Sequence, residues 1–142
     1  MTGYRFTSIV AELDPALVHR WLSERSYWAL GRSRATHDAA MAASRNYGML
    51  DAVTGQQVAC ARVVTDGATF AWLCDVFVDE PARGHGVGVA LLEGIVADLE
   101  PLGLTRTVLA TRDAHGLYER FGFEPLANPG MWMLRPGTSA SA

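Results

Sequence analysis

Several signals that would narrow the role of this 142-residue chain at once are scarce or missing. Cysteine is nearly absent: Cys60 and Cys74 sit inside apolar segments, outside any C-x-x-C or Cys/His spacing, so neither a zinc nor a redox motif has support and no metal is expected. A two-residue hairpin through Thr65-Asp66-Gly67-Ala68 would set Cys60 opposite Leu73 and point the two thiols to opposite faces, both free, as a reducing compartment allows. An excess of basic charge is also missing. The formal net charge of −3 leaves no electrostatic footprint for nucleic acid and mildly favours a basic small molecule or peptide. No apolar run approaches the ~20 residues of a membrane span, and the N-terminus has no signal-peptide pattern, so a cytoplasmic protein without a membrane partner is expected.

What is present is the composition of an ordinary globular domain, 49% hydrophobic and 19% charged. One domain is expected over residues 1–136, with the Gly-Thr-Ser-Ala-Ser-Ala end, 137–142, as a disordered tail. The chain is organised around one stretch. Phe70 to Val78 is apolar, with β-branched and aromatic residues, and reads as a buried strand despite Asp75 in its middle. It turns through Asp79-Glu80-Pro81-Ala82, enters Arg83-Gly84-His85-Gly86-Val87-Gly88 and continues with helical spacing from Val89 to Val96. A strand, a glycine-rich turn and a helix start gather backbone N–H groups at one point, where the helix dipole favours an anion. A P-loop would need Gly-Lys-Ser/Thr where this chain has Gly88-Val89-Ala90. A dinucleotide fold would want G-x-G-x-x-G at an early strand–helix turn, whereas these glycines alternate and follow a meander.

The other elements read in order. Tyr4 to Ile9 alternates weakly as a first strand, and Asp14-Pro15 caps an amphipathic helix running through Leu22. Ser26 to Ala35 has no clean period and reads as a recognition loop; Thr36 can cap an alanine-rich helix, Asp38 to Ser44. Tyr47–Val53, Gln57–Thr65 and Thr69–Val78 form an antiparallel meander. After the glycine-rich helix, Thr105 to Thr111 is a strand parallel to the one at 70–78, reached by a right-handed crossover. Asp113 can cap a short helix, Ala114 to Phe121, closed by Gly122; Phe123–Leu126 and Met131–Arg135 read as a last pair of strands.

Two linked segments carry a family resemblance. Val78-Asp-Glu-Pro-Ala-Arg83-Gly84-His85-Gly86-Val87-Gly88 resembles the acyl-CoA signature of the GNAT N-acetyltransferase superfamily, and Ala114-His-Gly-Leu-Tyr118-Glu-Arg-Phe-Gly122-Phe123 resembles its A-x-x-L-Y-E-x-x-G-F segment. The resemblance implies a single-domain α/β (α+β) fold, with a mixed, mostly antiparallel central sheet of six to seven strands flanked by about four helices. It implies that backbone N–H groups of Arg83, Gly84, His85, Gly86, Val87 and Gly88 hold the pyrophosphate of acetyl-CoA, the acyl donor, and that the backbone around Phe77 and Val78 pairs with the pantetheine amides. It also makes Tyr118 the acid that protonates the departing thiolate. Where many members carry asparagine, this chain has Thr111.

The remaining roles are read from chemistry. Asp75, an acid in an apolar strand, is either a general base for the incoming amine or a structural partner for Arg62 or a backbone group. Tyr27, Trp28 and Arg32 in the irregular loop could enclose an aliphatic amine and hold a carboxylate, or the two aromatics could pin the loop to the core. The function expected is transfer of acetyl to a primary amine of a small molecule or peptide by direct attack. The alternative is a non-catalytic acyl-CoA-binding regulatory module, which keeps the glycine loop but does not need Tyr118. An exposed sheet edge near the C-terminus can support a homodimer.

Overall fold

The structure is a computed structural model that describes residues 3–138. Four strands, β1 (Tyr4–Thr7), β2 (Arg45–Asp51), β3 (Gln57–Thr65) and β4 (Phe70–Val78), pair antiparallel in chain order, and β5 (Arg106–Val108) joins β4 in parallel. Two helices cover one face: α1 (Pro15–Arg25) and α2 (Arg34–Ala42). A third, α3 (Val87–Leu99), covers the other, and α4 (His115–Glu119) follows β5. The parallel β4–β5 pair and its helical crossover are as the sequence predicts.

Local chemistry accounts for the helix starts. Asp14 caps α1 by accepting from the Leu17 amide at 3.1 Å, with Pro15 at the first helical position. The cap of α2 is Ser33, whose hydroxyl accepts from the Thr36 amide, so this helix starts earlier than a Thr36 cap predicts. In α4 the Ala114 amide donates to the Thr111 hydroxyl at 3.0 Å, and Asp113 does not take the cap. Gly122, at φ +86°, closes α4, with the Phe123 amide donating back to the Tyr118 carbonyl.

The core lies mainly between α3 and the sheet. Leu91, Leu92 and Ile95 pack there against Tyr47, Met49, Ala59, Val63, Ala71 and Leu73, all essentially inaccessible. Contact is closest at Gly94, where an added Cβ would run into the Phe6 ring. A smaller cluster on the opposite face unites Val18, Trp21 and Leu22 of α1 with Cys60 and Phe77, Trp21 stacking on Phe77.

Three expectations need correction. The sheet has five strands: Phe123–Leu126 and Met131–Arg135 form no ladder, and a single 3-10 turn at Pro129–Met131 separates them. Pro125 and Pro129 remove two backbone donors from this region, and the apolar residues Met131, Met133 and Leu134 lie exposed. The β3–β4 turn is longer than two residues. Thr65 pairs with Ala71, and the Asp66 side chain accepts from the amides of Ala68, Thr69 and Phe70. A bulge then shifts the register, so Cys60 faces Phe77 and Cys74 faces Arg62, which puts both free thiols on the face beneath α1 and α2. Of the expected tail, residues 139–142 lie outside the described residues.

Candidate active site

The donor side of the site begins where two strands part. β4 and β5 pair only from Phe70–Arg106 to Trp72–Val108, which leaves the Leu73–Val78 edge of β4 without a strand on that side among the described residues. From that edge the chain makes a 3-10 turn, Glu80–Ala82, and enters the exposed turn Arg83–Gly86. Gly84 (φ +81°) and Gly86 (φ +76°) adopt the left-handed backbone that a side chain disfavours, and Gly86 is the N-cap of α3. The amides of Val87, Gly88 and Val89 precede the first helical bond, from Ala90 N to Gly86 O at 3.1 Å. Bare amides at a glycine-lined helix start suit a phosphate.

The neighbouring side chains shape this edge. Arg83 turns back along the strand: its Nε donates to the Val78 carbonyl at 2.9 Å, and its guanidinium lies 5.4 Å from the Phe77 ring centre. Phe77 is buried, so only its backbone can meet a ligand. His85 is exposed in the turn, and Val87 turns its side chain into the core. At Gly88 an added Cβ would reach Leu117 at 3.7 Å and Val78 at 4.0 Å, so α4 and β4 both come up to the first turn of α3.

On the far side stands Tyr118, 8% exposed and edge-on to Phe123. Burial, with a contribution from nearby Tyr27, pushes its phenol up to about 12, so it stays neutral and keeps its proton at physiological pH. It lines a cavity of about 280 Å³ between residues 107–111 and 123–126. Tyr27 accepts from the Arg112 amide at 3.1 Å, and the Arg112 guanidinium lies 4.0 Å from its ring centre. Tyr27 also meets Trp28 edge to face.

Asp75 occupies a different environment. It sits at the bulge with φ +54°, the one non-glycine residue in the left-handed region among those described. That conformation turns its carboxylate beneath α1 and α2. There it accepts from Arg32 Nη1 at 2.8 Å, Arg62 Nε at 2.9 Å and Trp28 Nε1 at 2.9 Å. Burial alone would raise its pKa, but the Arg32 and Arg62 bonds and charges outweigh it and hold the carboxyl below the ordinary aspartate range. Arg62 is thus the partner that the structural reading of Asp75 named. Arg32, expected at the substrate, is 9% exposed and tied to Asp75. The Tyr27–Trp28 pair joins Asp75, through the Trp28 indole, to the Arg112 turn.

Two features have no local signal. Arg112 reads in the sequence either as a polar anchor beside Thr111 or as an exposed turn residue, and nothing local announces its stacking on Tyr27, 85 positions earlier. His37 is 2% exposed with both ring nitrogens unpartnered among the described residues; its burial, with His19 and Arg32 nearby, lowers its pKa and keeps it neutral. Among the described residues no helix is long and apolar enough to cross a membrane, and no group of three His, Cys, Asp or Glu could hold a metal.

Comparison with known proteins places these features in a family. Residues 41–125 match the model of the acetyltransferase (GNAT) domain. A curated relative, serotonin N-acetyltransferase 2, chloroplastic, of Oryza sativa subsp. japonica, is 38% identical over 84 residues, 57% of this chain and 42% of that protein. The chain therefore spans less than half of that relative's length. Among solved structures, a GNAT-family protein of Xanthomonas campestris pv. campestris is 40% identical, with a TM-score of 0.91 over 100% of this chain and 99% of that one. The ribosomal-protein-S18-alanine N-acetyltransferase of Escherichia coli is 26% identical, with a TM-score of 0.70 over 87% of this chain and 79% of that one. With its parted strands, its glycine-lined helix start and a family match that covers both, the chain belongs to the GNAT acetyltransferase family.

Proposed function

We propose that this chain transfers the acetyl group of acetyl-CoA to a primary amine by direct attack. The observation that carries the reading is the juxtaposition of an open β4 edge, the helix start it leads into and a buried, protonated Tyr118 beside them. The amides from Arg83 to Gly88 take the pyrophosphate, and the Leu73–Val78 edge takes the pantetheine as an added strand, with Phe77 and Val78 contributing backbone only. A backbone N–H near Val78 polarises the thioester carbonyl. The amine lone pair then forms the new C–N bond, the C–S bond breaks, and the thiolate takes the Tyr118 proton.

Asp75 is assigned a positioning role in place of the base. A carboxylate with three charged or N–H partners and a depressed pKa is a poor proton acceptor, whereas it holds Trp28, and through it Tyr27, at the edge of the cleft. The amine proton leaves to water. Neither thiol serves as a nucleophile, since burial raises Cys60 and pushes Cys74 up to about 11, far from a thiolate at neutral pH.

The acceptor class follows from Tyr27, Trp28 and the Arg112 stacked on Tyr27, which favour an aromatic amine. Serotonin, named in the curated relative, is the first acceptor to assay. The second is a peptide beginning with alanine, suggested by the name of the Escherichia coli protein. Free-thiol release from acetyl-CoA against both acceptors decides between them. Binding of coenzyme A without release for any amine would leave only the regulatory-module alternative.

A further inference from the structure

The acceptor side carries a guanidinium whose charge the acetyl transfer does not use. Arg32 and Arg62 both donate to Asp75, at 2.8 and 2.9 Å, so a carboxylate meets them beneath α1 and α2. Arg112 lies in the turn between β5 and α4, with its side chain 65% exposed. Its carboxylate neighbour among the described residues, Asp113, is 3.9 Å away and 71% exposed. An exposed pair at the limit of contact contributes little, so the Arg112 donors remain open to a further anion.

Exposed as it is, Arg112 is held in place. Its amide donates to the Tyr27 hydroxyl at 3.1 Å and its guanidinium carbon lies 4.0 Å from the Tyr27 ring centre, so one aromatic fixes both backbone and side chain. Tyr27 in turn meets Trp28 edge to face, and the Trp28 indole donates to the buried Asp75. At 4.0 Å a guanidinium meets a ring by its face, and its N–H donors, which lie in its plane, project past the ring. That edge is the one that takes both oxygens of a carboxylate, and a side chain already stacked has little rotamer freedom left to lose. The turn stands beside the reaction centre. The Thr111 hydroxyl takes the Ala114 amide at 3.0 Å, tying the turn to α4, and Tyr27 lies near enough to Tyr118 to help raise its phenol.

We infer that Arg112 binds the carboxylate of the acceptor, and that the acceptor is an aromatic α-amino acid with its ring against Tyr27 and Trp28. Its α-amine is then the acetylated group, which rests on the acetyl transfer proposed above; carboxylate binding rests on the Arg112–Tyr27 geometry alone. Amine and carboxylate share one carbon, so two N–H···O bonds to the carboxylate also fix where the amine lone pair points. That lone pair forms the C–N bond, the C–S bond breaks, the thiolate takes the Tyr118 proton, and the amine proton leaves to water. An aromatic amine without a carboxylate would fill the space at Tyr27 and Trp28 and leave the Arg112 donors to water.

Two matched pairs test it: L-tryptophan against tryptamine and L-phenylalanine against phenethylamine, each pair differing by the carboxylate alone. In free-thiol release from acetyl-CoA, kcat/KM for the amino acid is expected to exceed that for its amine by about tenfold or more. Arg112→Gln is expected to bring the two values together, and Arg112→Lys, which keeps the charge without the planar fork, to restore part of the gap. No preference for the amino acids in the unmodified chain, or a preference that survives Arg112→Gln, would overturn the assignment. Calorimetric titration of L-tryptophan into the chain saturated with coenzyme A reads the carboxylate site without turnover. Binding that Arg112→Gln weakens by about tenfold, with no thiol release for any amine, would leave the site standing and remove the acetyl transfer. Release with tryptamine but none with L-tryptophan would do the reverse.

Discussion

Asp75 is held by Arg32, Arg62 and Trp28. Its carboxylate faces the buried guanidinium of Arg32 and the half-buried one of Arg62, so Asp75→Asn leaves both unbalanced in a site with little access to water. Breaking a buried pair at one end costs about 3–5 kcal/mol, and urea denaturation should show a loss of that order. The pH dependence has a definite sign. A folded-state pKa below the unfolded value means that the stabilisation is present above the ordinary aspartate range and is lost as pH falls through the lower, folded value. Asp75→Asn should therefore flatten the acid limb of melting temperature against pH. Tyr118 carries the opposite sign: its phenol is raised to about 12, so the proton it is proposed to donate stays in place past the ordinary tyrosine value of ~10. The kcat profile should hold its plateau to about pH 10, and a fall centred on an unshifted tyrosine would remove Tyr118 from the role of acid. Asp75 was visible in the sequence as an oddity, an acid in an apolar strand. Its orientation was not, because the bulge turns on a positive φ at a residue that is not glycine.

Among the elements, the turn into α3 was the most legible, since alternate glycines before a helical pattern are a local signal and the geometry they permit is local too. Gly86→Ala places a Cβ on left-handed backbone at the helix N-cap, a strain of about 1–2 kcal/mol. It should weaken coenzyme A binding by roughly tenfold in calorimetric titration, as the first amides of α3 shift. Gly94 gives a sharper contrast between propensity and packing. In an isolated helix alanine would gain about 1 kcal/mol over glycine, yet here its Cβ would enter the Phe6 ring. Gly94→Ala should thus destabilise the fold by about 1–3 kcal/mol in a thermal or urea melt, and any gain in stability would mean that β1 does not press on α3 as described. The cap of α2 was misread because Ser33 and Thr36 are both able to cap and only the backbone path chooses between them. The last two strands were misread for a different reason. The apolar run at 131–134 states that it needs cover, but sequence cannot say what supplies it.

At the scale of the whole molecule, the family and the parallel crossover were readable because the loop and the Leu117-Tyr118-Glu119 segment lie on rigid elements in a fixed order. The acceptor side was less so. The residues proposed for it, the neighbours Tyr27 and Trp28 and the distant Arg112, meet only through tertiary packing. All 12 of the basic Lys+Arg positions are arginine, so this chain offers acetyl-CoA no lysine ammonium of its own, and lysine self-acetylation cannot mimic turnover. That makes thiol release a clean readout of transfer to an added amine. The most direct test of the central claim is therefore amine-dependent release of coenzyme A from acetyl-CoA, measured for the unmodified chain and for Tyr118→Phe at the same donor concentrations. The predicted result is saturable release with an aromatic primary amine, reduced about 100-fold in kcat by Tyr118→Phe with the KM for acetyl-CoA nearly unchanged. Release that is indifferent to added amine, or equal turnover by the two proteins, would contradict it.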